Sequence, residues 1–180
     1  ILSYSAAIDQ ALSEWIAANV TFPCCMVDRI TPATLPQDRI ALNTASGVDD
    51  AVPVFGEDFT QWVVEDSFCN GRPQLELVGV QFTENVHPYE VQKLRMLNAT
   101  HTMLAVPAFL AKIQYIYQIF ENANFAKFAE QFLYKDVIPL LTDAPADFPT
   151  PAYAALIIKR FSNPAIKDQV TRVVGDTTSK

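Results

Sequence analysis

Apolar residues recur every three or four positions in a long segment near the middle of the chain. From Val91 to Leu104 this segment contains no Gly or Pro and is rich in good helix formers. Because an α-helix turns about 100° per residue, this spacing gathers the apolar side chains on one side. The pattern predicts a helix over 91–104, which His87-Pro88 introduces with Pro88 near the first turn and which Pro107 ends or kinks.

Most of the remaining chain also has helical spacing. Amphipathic patterns predict helices at 5–18, 36–45, 108–122, 125–141, 152–161 and 164–174. Two segments rich in β-branched and aromatic residues, 61–65 and 77–83, predict strands on either side of a turn at 69–73. Proline-rich segments at 19–36 and 143–151 predict loops. The expected fold class is mainly α, a multi-helix domain with a small two-stranded β segment.

Composition narrows the class of protein. Half of the 180 residues are apolar and 18% are charged, which is typical of a globular domain. The net charge of −7 argues against a nucleic-acid surface, and no apolar run reaches the ~18 residues of a membrane span. Three cysteines, two of them the adjacent Cys24 and Cys25, are no disulfide framework, so we expect a cytoplasmic protein without nucleic-acid or membrane partners.

The predicted central helix also carries three polar residues whose side chains are suited to catalysis. With Lys93 at 0°, α-helical spacing puts His101 at ~80° and Asn98 at ~140°, so the three share one broad face. Leu97 and Leu104 lie near the azimuth of Lys93, and burial among leucines favours the neutral amine and lowers its pKa. A neutral lysine accepts protons, and the amide and the imidazole offer hydrogen bonds to an oxygen. The set suits removal of an alcohol proton while a hydride leaves the carbinol carbon.

The motif Lys93-x4-Asn98-x2-His101, within KLRMLNATH, resembles the long-chain polyol dehydrogenases of the mannitol dehydrogenase family. Segments 22–32 and 160–166 agree with the family in order and spacing, whereas Cys24-Cys25 stands where the family usually has Asn-Ser. The resemblance extends over nearly the whole chain. It implies a substrate-side domain with a helical fold like the C-terminal domain of 6-phosphogluconate dehydrogenase.

The resemblance also implies an activity and a set of site residues. The family oxidises polyols such as D-mannitol to the 2-ketose, here D-fructose, with NAD and without a metal. It implies Lys93 as general base, Asn98 and His101 as contacts of the reacting oxygen, and Asp28, Arg172 and Lys180 as contacts of the other polyol hydroxyls.

The domain organisation follows from the same resemblance. We expect residues 1–180 to be a fragment of the C-terminal catalytic domain, with 48–84 a β-containing insertion flanking an absent N-terminal nucleotide-binding domain. The five glycines, at 47, 56, 71, 79 and 175, cannot form G-x-G-x-x-G, the loop that receives a dinucleotide pyrophosphate. We therefore expect NAD, with NADP not excluded, to be bound mainly by that missing Rossmann domain, and the isolated chain to be inactive.

Three alternatives remain open on sequence alone. A uronate reductase of the same family, acting on fructuronate or tagaturonate, would need a second basic residue facing the substrate. A non-catalytic helical interaction module fits the composition equally well. A zinc enzyme is disfavoured because neither C-x-x-C nor H-E-x-x-H spacing occurs among the two histidines and three cysteines.

Overall fold

The computed structural model describes residues 1–176. Within it the chain forms two units, one made of residues 1–27 and 61–87 and the other of residues 28–60 and 88 onward. Helices dominate and the described residues include one small sheet, so the expectation of a mainly α fold is confirmed. None of the helices in residues 1–176 combines the length and the hydropathy needed to cross a membrane.

The first unit begins with a pair of helices, α1 (Leu2–Ile8) and α2 (Gln10–Asn19). A single helix was predicted over 5–18, and Asp9 divides it. Asp9 has an extended backbone, and its side chain accepts hydrogen bonds from the N–H groups of Ala11 and Leu12. This cap satisfies the free donors at the start of α2 and so favours a new helix over a continuous one.

The sheet has three strands in the order β1 (Cys25–Asp28), β2 (Gln61–Glu65) and β3 (Gln81–Thr83). Strands β2 and β3 run parallel, with Val63 opposite Gln81. The two-strand prediction is wrong in number because β1 lies in a segment expected to be a loop. The prediction for 61–65 is confirmed, whereas 77–83 divides into a 3-10 turn, Leu75–Val78, and the short β3.

The second unit is helical. It contains α3 (Pro36–Ser46) and a continuous central helix made of α4 (His87–Lys93), a π-helical turn (Leu94–Asn98) and α5 (Ala99–Leu110), although His87 itself falls in the first unit. Pro107 was expected to end or kink this helix. The helix continues to Leu110, because Leu104, Ala105 and Ala108 are packed in the core and hold it in place.

The remaining helices follow in chain order. They are α6 (Ile116–Ile119), α7 (Ala123–Gln131) with a π-helical turn (Phe132–Val137) and a 3-10 turn (Ile138–Leu140), α8 (Thr150–Phe161) and α9 (Val170–Gly175). The helices predicted at 125–141 and 152–161 are thus confirmed. Those predicted at 108–122 and 164–174 are only partly so, since 111–115 and 164–169 are not helical.

The core of the second unit lies where the central helix meets α8 and α9. Its fully buried side chains include Met96, Leu104, Ile119, Tyr153 and Ile157. Burying each such large apolar side chain contributes on the order of 1.5–3 kcal/mol. The central helix is therefore held firmly, which gives the polar residues it carries a fixed support.

Candidate functional site

The three polar residues of the motif lie on the central helix, at the junctions of its three parts. Lys93 is the last residue of α4, Asn98 ends the π-helical turn, and His101 lies in the first turn of α5. Lys93 and Asn98 are partly buried, and His101 is 5% exposed. The helix is anchored by Tyr89, whose hydroxyl donates to Asp147 at 2.7 Å, and by Gln92, whose amide donates to the Phe148 carbonyl at 2.9 Å.

The π-helical turn changes the angular positions that α-helical spacing predicts. The Ala99 N–H donates to the carbonyl of Leu94, five residues earlier, as well as to that of Met96. Such a turn accommodates one extra residue and therefore turns every later side chain back by about 100°. Asn98 moves from ~140° to ~40° relative to Lys93, and His101 from ~80° to about −20°. The turn thus improves the alignment of the three residues, whose convergence on one cleft stays a prediction.

Asn98 has an unsatisfied polar atom. Its Oδ1 is buried and accepts no hydrogen bond from the described residues. One end of this buried amide therefore has no hydrogen-bond partner within residues 1–176. A buried polar atom without a partner costs about 1–3 kcal/mol, which is why such atoms are rare away from binding sites.

His101 is held between an aromatic ring and a carboxylate. Its ring stacks on Phe161 with centroids 4.1 Å apart and planes 5° apart, and its Nε2 lies 3.8 Å from Oδ2 of Asp168. Asp168 is only 2% exposed and also receives two hydrogen bonds from Arg172, at 2.8 and 2.7 Å. The hydrogen bonds to Asp168 raise the pKa of Arg172 above its usual value. The structure therefore joins two predicted site residues, His101 and Arg172, through a carboxylate that the sequence analysis did not identify.

Asp28 has a different environment from the one that the resemblance implies. It is 1% exposed, receives two hydrogen bonds from Arg160 at 2.8 and 2.7 Å, and a third from the hydroxyl of Tyr153 at 2.6 Å. Arg160 also donates to Glu57 at 3.0 and 2.6 Å and lies over the Phe59 ring. With its oxygens occupied in this way, Asp28 stabilises the fold. Its contact with a polyol stays a prediction that this arrangement does not support.

Burial and pairing act in opposite directions on this network. Burial works to lower the pKa of Arg160, but hydrogen bonds to the two carboxylates outweigh it and leave that pKa raised. Burial and the neighbouring Asp28 carboxylate raise the pKa of Tyr153. The arginine is therefore charged and the tyrosine a hydrogen-bond donor at any physiological pH.

Three cavities are lined by described residues of the second unit. The cavity lined by His101, Phe161 and Asp168 holds about 10 Å³, room for one water at most. Two surface cavities of about 560 and 470 Å³ are lined by the 31–54 segment and by residues near Glu57 and Lys159, respectively. Lys93, Asn98 and His101 line neither of these two. Lys180, the last predicted contact, lies outside the described residues.

The residues that sequence reasoning missed gave little local signal. Asp168 follows a proline-containing turn, a sequence setting typical of exposed acids, and Glu57 lies in an acidic, turn-rich segment. Arg160 lies in the segment 160–166 that resembles the family, but the sequence alone indicates no role for it. The one available clue was the apolar setting of Arg160 between Ile158 and Phe161, because charged residues in such a setting are usually paired.

Family models divide the chain into two matched parts. The model of the mannitol dehydrogenase C-terminal domain matches residues 85–180, and that of the mannitol dehydrogenase Rossmann domain matches residues 1–77. The chain belongs to the mannitol dehydrogenase family. The expectation that it lacks the nucleotide-binding domain is wrong for residues 1–77, and this match includes most of the segment 48–84 that was expected to be an insertion.

Individual members of the mannitol dehydrogenase family are similar over nearly all of the chain. A D-arabinitol 4-dehydrogenase of Ralstonia nicotianae is 44% identical over 96% of it, and a polyol:NADP oxidoreductase of Gluconobacter oxydans is 45% identical over 99%. The chain spans 37% of the length of each.

Two solved structures of polyol dehydrogenases have the same fold. A D-sorbitol dehydrogenase in substrate-free form superposes with a TM-score of 0.89 at 44% identity, over 99% of this chain and 37% of that one. A Pseudomonas fluorescens mannitol 2-dehydrogenase in complex with NAD and D-mannitol gives 0.84 at 42% identity, over 96% and 35%. The detailed likeness to 6-phosphogluconate dehydrogenase stays a prediction.

Proposed function

We propose that this chain is the substrate-side part, together with part of the nucleotide-binding domain, of a polyol dehydrogenase that oxidises D-mannitol to D-fructose. The unsatisfied amide of Asn98 carries the proposal, because it lies between Lys93 and His101 on a helix whose π-helical turn aligns the three. A substrate hydroxyl, which donates to an amide oxygen and accepts from an amide nitrogen, is a partner of the kind that this amide lacks. The family match and the polyol substrates in the names of the relatives support the same class of reaction.

The proposed mechanism assigns one task to each residue. Lys93, as the neutral amine, takes the proton of the reacting hydroxyl, while Asn98 and His101 donate hydrogen bonds that stabilise the developing alkoxide. Arg172, and Lys180 beyond the described residues, hold the remaining hydroxyls. Asp28 acts from within its ion-pair network, by fixing the start of the 28–60 segment. A nicotinamide cofactor, when bound, would supply the hydride acceptor for this oxidation.

The residues of this chain do not fit the whole cofactor. Its five glycines supply no G-x-G-x-x-G loop for the pyrophosphate, although residues 1–77 match the Rossmann model. The proposal is that NAD or NADP is bound mainly outside the chain. The purified 180-residue chain should then show neither NADH binding by fluorescence titration nor polyol oxidation. Tight NADH binding by this chain would contradict this part of the proposal.

Substitution of the proposed base in the full-length protein tests the function. Wild-type protein should oxidise D-mannitol with NAD or NADP, faster at higher pH, and Lys93→Ala should lower kcat by about 10²–10⁴-fold and abolish the rise with pH. Lys127→Ala, which removes an exposed lysine of α7, is the matched control and should leave kcat unchanged.

Two outcomes would contradict this proposal, one its reaction and the other its general base. If the wild-type protein oxidises no polyol with either cofactor, the assigned reaction is wrong. If the wild type is active and Lys93→Ala keeps its pH profile, the reaction stands but Lys93 is not the base.

A further inference from the structure

Asp168 is a buried carboxylate to which the proposed mechanism gives no task. Its backbone is fixed by the neighbouring chain, since its carbonyl accepts the Ile116 N–H at 2.9 Å and Gln169 forms an isolated antiparallel bridge with Tyr115. Its side chain is 2% exposed, and the residue lies just before α9, which begins at Val170. Both the backbone and the carboxylate of Asp168 therefore have a fixed position.

That carboxylate faces two of the proposed substrate contacts. Arg172 donates from Nε and Nη2 to its two oxygens, the bidentate geometry that orients a guanidinium most strictly. On the other side, Nε2 of His101 lies 3.8 Å away, with the ring stacked on Phe161. A single anion thus limits the positions of both an arginine and a histidine, each of which comes from a different helix.

We infer that Asp168 is the positioning residue of this site, and that by compensating the charge of Arg172 it selects neutral polyols over substrates that carry a carboxylate. This inference rests on the proposed function, because it assumes that Arg172 and His101 contact the substrate. It adds a determinant of the substrate class, and it separates a polyol dehydrogenase from the uronate reductase alternative.

The charges around Arg172 are the physical basis of the selection. Besides Asp168, the carboxylate of Asp176 lies 3.5 Å from Nη1 of Arg172, so two described acids face one cation. The Arg172 side chain is still 38% exposed, which leaves part of the guanidinium accessible as a hydrogen-bond donor. A paired guanidinium can donate to hydroxyls, but it offers little net attraction to an anionic substrate.

Removing the negative charge of Asp168 should therefore change selectivity more than it changes chemistry. In the full-length protein with reduced cofactor, the readout is the ratio of kcat/KM for D-fructuronate to that for D-fructose. Asp168→Asn keeps the size of the side chain and one acceptor, and it should raise this ratio about tenfold or more by leaving Arg172 uncompensated. The KM for D-fructose should rise more than kcat falls, since the loss is in positioning.

Two further variants control for net charge and identify Arg172 as the source. Asp136→Asn makes the same charge change at an exposed residue and should leave the ratio unchanged. Asp168→Asn combined with Arg172→Gln removes both members of the pair and should return the ratio towards the wild-type value. An unchanged ratio in Asp168→Asn, or a ratio that stays high in the double variant, would overturn the inference.

The design separates this inference from the proposed function. If the wild-type protein reduces neither ketose, the proposed function itself is wrong. If Asp168→Asn does not fold, Asp168→Glu provides the test, because it keeps the charge but moves the carboxylate by one methylene. It should keep the wild-type ratio and raise KM for D-fructose, and wild-type kinetics in that variant would exclude a positioning role.

Discussion

Arg160 is the residue whose loss the fold should tolerate least. It is nearly fully buried between two buried carboxylates, Asp28 and Glu57, and no other cation is paired with them among the described residues. Two anions in a poorly solvated environment are strongly unfavourable once their counter-ion is removed. We expect Arg160→Met to lower the free energy of unfolding by about 3–5 kcal/mol, as measured by urea denaturation.

The neighbouring residue provides the control for Arg160→Met. Lys159→Met removes an adjacent, exposed cation from the same helix, and it should change the free energy of unfolding by no more than about 0.5 kcal/mol. Equal effects of the two substitutions would mean that the buried network contributes nothing beyond surface charge.

At the scale of residues, sequence reasoning found chemical types but not their partners. Asp28 was identified as a candidate, yet the partner that occupies it, Arg160, lies 132 positions away in the chain. Asp168 was missed for the same reason. Its role follows from its contacts with His101 and Arg172, and the histidine lies on a separate helix. Long-range pairing of this kind leaves no periodic signal in one sequence.

The π-helical turn Leu94–Asn98 is the element on which the alignment of the site depends. It contains one residue more than an α-helical turn, and so deletion of one residue should convert it to α-helix. Deleting the exposed Arg95 would place Asn98 four and His101 seven residues after Lys93, and in an α-helix these spacings keep the ~40° and about −20° positions that the π-helical turn produces. We therefore expect this deletion to retain polyol oxidation, with little change in the melting temperature.

A substitution at the same position distinguishes the effect of losing the Arg95 side chain from the effect of removing one residue from the helix. Arg95→Ala removes the same side chain but keeps the number of residues, and it should retain most of the wild-type kcat. Loss of activity in both variants would assign the effect to the arginine itself, and loss of activity in the deletion variant alone would contradict the proposal that the angular positions of the three residues are what the π-helical turn provides.

At the scale of elements, strong periodicity predicted the regular helices and strands, but it did not predict where they are interrupted. The strand Gln61–Glu65 and the helices α3 and α8 follow from local pattern and propensity. The π-helical turns, the division at Asp9 and the strand Cys25–Asp28 depend on capping and tertiary contacts instead. An assumed period of 3.6 residues cannot indicate an inserted residue, which is why the angular positions of Asn98 and His101 needed correction.

For the molecule as a whole, the family models and the two units divide the chain differently. The boundary between the models falls between residues 77 and 85, whereas the second unit takes residues 28–60 from within the Rossmann match. Segment 28–60 contributes Asp28 and Glu57 to the buried network of Arg160. Part of the sequence matched as nucleotide-binding domain therefore stabilises the helical unit that carries the proposed site.

The alkaline stability of the molecule should depend measurably on Tyr89. Burial, and after it the hydrogen bond to Asp147, raise the pKa of Tyr89 from 10.0 to about 12. Between these two pH values the unfolded chain loses the phenolic proton while the folded protein keeps it. The stabilisation is therefore fully present below pH 10 and is lost as the pH rises towards about 12.

Comparison with a phenylalanine variant isolates this effect from other titrating groups. We expect Tyr89→Phe to be less stable than wild type by a constant amount at pH 8–10, because a buried hydrogen bond is lost. The difference in urea midpoint should then shrink as the pH rises towards about 12, since only the wild type loses stability through this phenol. Tyr4→Phe, at an 80% exposed tyrosine, should match wild type throughout. A Tyr89→Phe difference that stayed constant over the whole range would show that this phenol titrates alike in the folded and unfolded chains.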